Sequence, residues 1–65
     1  MLLRAKSTTT IYQDYIPMDI FIEGNIYEGG KAEEYNNLYV VTNEQGKQSL
    51  FIPELFKFKF EVVEE

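Results

Sequence analysis

Residues 38–56, LYVVTNEQGKQSLFIPELF, constrain the fold most tightly. Two apolar runs bracket Asn43-Glu44-Gln45-Gly46, which places a turn-initiating amide first and a φ-permissive glycine last. The pattern predicts a strand, a tight turn, a second strand and then a corner led by Pro53. A chain built around such a hairpin is a small, sharply turned β domain.

Size limits what can be added to that hairpin. A chain of 65 residues is expected to hold one domain, over positions 1–65, with a single core. Ordering costs of roughly 1.5 kcal/mol per residue nearly offset what so small a core buries, so many short chains carry staples. This one has no cysteine and no histidine, which excludes disulfides, thiolate chemistry, Cys/His zinc sites and imidazole general-base catalysis. No cofactor is expected. Five tyrosines and five phenylalanines are left to supply the packing.

Six basic against eleven acidic residues give a formal charge of −5, which repels a phosphate backbone and makes nucleic acid an unexpected partner. Met1-Leu2-Leu3 is followed at once by Arg4, too soon for the apolar region of a signal peptide, and no apolar run approaches a membrane span. The expectation is therefore a cytoplasmic chain with no membrane partner.

Along the chain, residues 2–6 read as a first strand and residues 7–10 as a strand end or loop. Residues 12–17 read as a long irregular loop closed by Pro17. An apolar stretch at 19–23 ends in Gly24-Asn25, and a strand at 26–28 is closed by Gly29-Gly30. Residues 31–37 are polar and read as a loop. After the hairpin strands at 38–42 and 47–52, residues 53–56 suit a brief 3₁₀ corner. Phe56, Phe58, Phe60 and Val62 then alternate with Lys57, Lys59 and Glu61, the period of a strand with one apolar and one charged face. Five short strands without a substantial helix predict an all-β, closed or nearly closed barrel.

This order of features resembles the SH3-like barrel. Ala5 stands in the first strand, Phe21-Ile22-Glu23-Gly24-Asn25-Ile26 resembles the family's F-x-x-G-D-x-[LI] turn, and Phe51-Ile52-Pro53-Glu54-Leu55-Phe56 resembles its Y-I-P-x-x-Y corner. The interval from Leu38 to Pro53 is similar to the family's spacing between binding tryptophan and corner proline. The resemblance implies a five-stranded SH3-like barrel with a long first loop and a short 3₁₀ corner before the last strand, of a small stand-alone bacterial or phage type. It also implies a changed binding surface. Lys6-Ser7-Thr8-Thr9 replaces the family's A-L-Y-D-Y tyrosines, and Leu38 takes the tryptophan position. Pro53 and Phe56 remain, with Tyr12 and Tyr15 able to refill the groove from the first loop. Tyr12, Tyr15, Leu38, Pro53 and Phe56 are thus the candidate protein-binding surface.

Other candidates carry plainer readings. Tyr12, Tyr15, Tyr27, Tyr35 and Tyr39 form either a ligand-binding patch or, the favoured reading, rings covering the core with wet hydroxyls. Asp14 with Asp19, or Glu33 with Glu34, are acids of a kind that serve catalysis or hard cations, but their spacing matches no motif. Gly29-Gly30-Lys31 lacks the frame of a phosphate loop and reads as a turn. Lys57 and Lys59 read as guards against edge-to-edge aggregation on the last strand.

The functional expectation is a non-enzymatic protein-interaction module, a bacterial or phage accessory protein with one unknown protein partner. The alternative is an assembly component that self-associates through the Phe-rich last strand, giving a weak homodimer in place of a monomer.

Overall fold

The computed structural model describes residues 1–34 and 37–65. Tyr35 lies outside the described residues. Seven strands and one helix follow in order among them: β1 (Leu2–Ala5), β2 (Thr9–Gln13), β3 (Ile16–Phe21), β4 (Ile26–Lys31), β5 (Tyr39–Thr42), β6 (Gln48–Phe51), α1 (Pro53–Lys59) and β7 (Phe60–Glu64). The chain is mostly β, as its pattern predicts. The strands form a five-stranded antiparallel sheet in the order β6-β5-β4-β1-β7 and a separate two-stranded β2–β3 sheet. No described helix is long and apolar enough to cross a membrane.

The predicted hairpin forms as β5–β6. Asn43 Oδ1 accepts from the backbone N–H groups of Gln45 and Lys47, both at 2.9 Å, while Gly46 takes φ +82° at the left-handed position that closes the loop. Its N–H donates to the Asn43 carbonyl at 3.0 Å, and the Asn43 N–H donates to the Lys47 carbonyl at 2.8 Å.

Other expectations are corrected. The segment read as an irregular loop is a hairpin: Asp14 and Tyr15 both have positive φ, 52° and 65°, the conformation of a two-residue turn matched to strand twist. Gln13 and Ile16 are the pair closing this turn, so alternation points the nitrogen of Pro17 to the open edge of β3, where its missing proton costs no ladder bond.

Gly29 and Gly30 lie inside β4 and close no turn. A Cβ at Gly29 would stand 2.6 Å from the Val40 carbonyl oxygen and 2.8 Å from Leu3 Cδ1, so glycine is needed there for close packing.

The 3₁₀ corner is an α-helix of 7 residues, and the last strand begins only at Phe60. Pro53 opens the helix at its first turn beside Glu54, and Lys57 and Lys59 occupy its last turn, where cations complement the dipole. The two lysines therefore stand on a helix end and guard no strand edge. Phe56 in the helix and Phe60, the extended residue that caps it with an N–H donated to the Phe56 carbonyl, both enter the core, whereas Phe58 is 72% exposed. The continuous phenylalanine face expected for self-association is thereby broken up.

The core is aromatic. Phe21 is fully buried and meets Tyr27, Phe51 and Phe60 edge-on at centroid distances of 5.1, 5.8 and 5.6 Å. Leu3, Ala5 and Val41 fill the space between the strands. Phe21 comes from the two-stranded sheet and its partners from the five-stranded sheet, so this cluster joins the two.

Candidate protein-binding groove

The join between the sheets also has a polar component. Asp19, on β3, points inward with Phe21 because side chains two apart share a strand face. The residue is only 7% exposed, and its carboxylate accepts from Asn43 Nδ2 at 3.2 Å through Oδ1 and from the Ser49 hydroxyl through Oδ2. Asn43 and Ser49 are themselves buried. One asparagine thus holds its own turn through its oxygen and the opposite sheet through its nitrogen.

Asp19 and Ser49 form the floor of an open groove of about 590 Å³. One wall is the hairpin, with residues 11–13 of β2 and Met18 of β3; the other is residues 47–50, running into β6. Met18 reaches the groove because the β2–β3 register shifts beside Tyr12, where a bulge leaves one residue out of the alternation. Tyr12 is 64% exposed, and Met18 and Leu50 are also exposed. The groove accordingly sets Tyr12, Met18 and Leu50 beside the polar Gln13, Lys47 and Gln48 on its walls and is hydrogen-bonded at its base.

On the far side of the hairpin, Tyr27 is buried with its hydroxyl oxygen accepting from the Ile22 N–H at 2.7 Å. Burial, reinforced by the neighbouring Glu44 carboxylate, pushes its pKa above the ordinary tyrosine value.

Of the five candidate surface residues, Tyr12 lines the groove, and Tyr15 stands almost fully exposed at the tip of the same hairpin. Leu38 and Pro53 are half-buried and lie outside the groove. Phe56 is a core residue, its ring stacked on Tyr39 at 4.1 Å and 11°. The structure therefore joins Tyr12 to residues the sequence pattern did not single out as a surface, Met18 and Leu50. Only the alternation of β3 and β6 could have hinted at them.

Asp14 and Asp19 do not form the pair considered from sequence, while Glu33 and Glu34 both line a shallow cleft with Lys31. Asp14 is an exposed turn residue whereas Asp19 is buried with Asn43 and Ser49, and no group of three or more acids gathers into a cation site among the described residues. Comparison with known protein families, curated proteins and solved structures gives no significant match to this chain.

Proposed function

We propose that this chain is a small SH3-like protein-interaction module, of a bacterial or phage accessory type, that acts by surface contact with one protein partner and catalyses no reaction. The observation that carries the reading is the groove between the β2–β3 hairpin and β6, where Tyr12, Met18 and Leu50 hold apolar surface in water over a floor whose hydrogen bonds are already made. Apolar side chains kept exposed around a concavity are characteristic of surfaces that bind other proteins. Both oxygens of the one carboxylate in the groove are engaged, which suits a structural acid better than a proton carrier.

The order of elements supports the SH3-like part of the reading: a first strand, a long excursion, a middle strand, a tight hairpin, a helical corner after Pro53 and a last strand. Binding of a polyproline helix through the corner is disfavoured, because Phe56 is committed to the core and Leu38 offers no aromatic face.

The test is affinity capture from lysate with the wild-type chain and a Tyr12→Ser, Met18→Ser double variant of unchanged circular dichroism. A protein retained by the first and lost from the second is the expected result. Equal recovery by both, or none by either, overturns the reading.

A further inference from the structure

Among the described residues the two sheets present four edge strands: β6 and β7 at the ends of the larger sheet, β2 and β3 in the smaller. Two are guarded in the ways that keep sheet edges from pairing with other chains. β3 carries Pro17 and Asp19, and β7 carries Glu61 and Glu64. β2, TTIYQ, and β6, QSLF, contain neither a charge nor a proline. These two unguarded edges line the same groove.

The hydrogen-bond phase of β6 follows from its turn. Because the Asn43 N–H donates to the Lys47 carbonyl, antiparallel alternation makes Val41 and Ser49 the next bonded pair and turns the N–H and C=O groups of Gln48 and Leu50 away from β5. On the other side of β5 the same phase holds. The Ala32 N–H donates to the Leu38 carbonyl, so Val40 and Thr42 face β4. The free edge of β6 thus offers two donors and two acceptors at strand spacing beside the exposed Tyr12, Met18 and Leu50.

We propose that β6 is a docking edge at which an extended segment of another protein adds as a further antiparallel or parallel strand, bonding Gln48 and Leu50 through its backbone. The proposal rests on the protein-interaction reading and specifies its mode. The chemistry of the segment follows from the two faces it would show. Its inner face meets Tyr12 and Met18 and takes apolar or β-branched side chains. Its outer face lies along the side of β6 where Glu33 and Glu34 stand with Lys31 around Val40 and Leu50. Two carboxylates against one ammonium, on a molecule of net charge −5, favour lysine or arginine at those alternate positions. A second copy fits less well: pairing β6 with β6 brings a like charge of −5 and sets both pairs of glutamates along one seam.

A soluble peptide of about ten residues alternating valine or threonine with lysine is the probe. The chain is labelled with ¹⁵N and titrated, with amide shifts and hydrogen exchange followed by residue. The expected result is saturable binding with slowed exchange at Gln48 and Leu50. The same peptide with N-methylated alternate residues, and one with glutamate for lysine, should bind at least about tenfold more weakly. Leu50→Pro removes an outward-facing N–H and should abolish binding. Leu50→Lys, at a half-exposed side chain, keeps the fold and adds the missing guard, and should weaken binding by a similar factor.

No saturation up to about 1 mM peptide overturns the proposal, as does binding that leaves Gln48 and Leu50 unshifted or resists both variants. Shifts at Leu50 that grow with protein concentration alone, together with dimers in light scattering, also overturn it in favour of a second copy. A partner captured from lysate equally by wild type and Leu50→Lys would sink the β6 edge while leaving the interaction module standing.

Discussion

Two glycines one residue apart do unlike work in this chain. At Gly29 a methyl group would meet the backbone oxygen of Val40, an atom that cannot swing aside, whereas at Gly30 nothing lies within 4 Å of the position a Cβ would take. Gly29→Ala should therefore destabilise by about 1–3 kcal/mol through overpacking, while Gly30→Ala should be neutral or stabilising by up to about 1 kcal/mol, because alanine restricts the unfolded chain. Urea unfolding of the two variants decides, and equal effects would mean that β4 packs otherwise. Tyr27 sets a pH limit in the same way. Its folded pKa is raised by burial and then by Glu44, so its contribution is complete below the unfolded value of 10.0 and is lost as pH rises beyond it toward the folded value. Thermal melts from neutral pH upward should show stability falling above pH about 10. Tyr27→Phe should flatten that fall, although leaving the Ile22 N–H without its acceptor costs about 1 kcal/mol at neutral pH.

At the scale of elements, the stretch from Phe56 to Val62 is where sequence and structure part. Positions 56 and 60 are in phase for a strand, being an even number apart, and also for a helix, being one turn apart. Only Phe58 discriminates: a strand would send it inward with the other two, and the helix sends it to solvent. Phe60→Ala is expected to cost about 3–5 kcal/mol and Phe58→Ala less than about 0.5 kcal/mol. Similar losses at both positions would restore the strand. The β5–β6 hairpin was legible because its signals, Asn43 and Gly46, are local and of the usual turn types. The β2–β3 hairpin was not, since its turn uses Asp14-Tyr15 in the left-handed region and Pro17 looks like a strand breaker until its nitrogen is seen to face an open edge. The groove was half legible. Tyr12 stands out as an aromatic on a polar stretch, but Asp19 finds Asn43 and Ser49 across 24 and 30 residues, a meeting no periodicity encodes.

For the molecule as a whole, the decisive relation is between its two sheets. A two-stranded sheet is marginal by itself, and this one is held to the larger sheet by Phe21 on the apolar side and by Asp19 on the polar side. Total stability for a chain this size is roughly 3–10 kcal/mol, so losing either tie is a large fraction of it. Asp19→Ala would leave Asn43 Nδ2 and the Ser49 hydroxyl buried without their acceptor, at a cost of about 1–3 kcal/mol. That cost should fall unevenly. β1, β4 and β5 have strand neighbours on both sides and keep their protection, whereas the hairpin opens as a unit once its polar tie is gone. Native-state hydrogen exchange on Asp19→Ala should therefore show amides of β2 and β3 exchanging about tenfold or more faster, with those of Leu3, Tyr27 and Val41 accelerated only as far as the fall in global stability requires. Uniform acceleration across both sheets would mean that they unfold as one body. In that case the groove wall carrying Tyr12 and Met18 would be as rigid as the edge it faces.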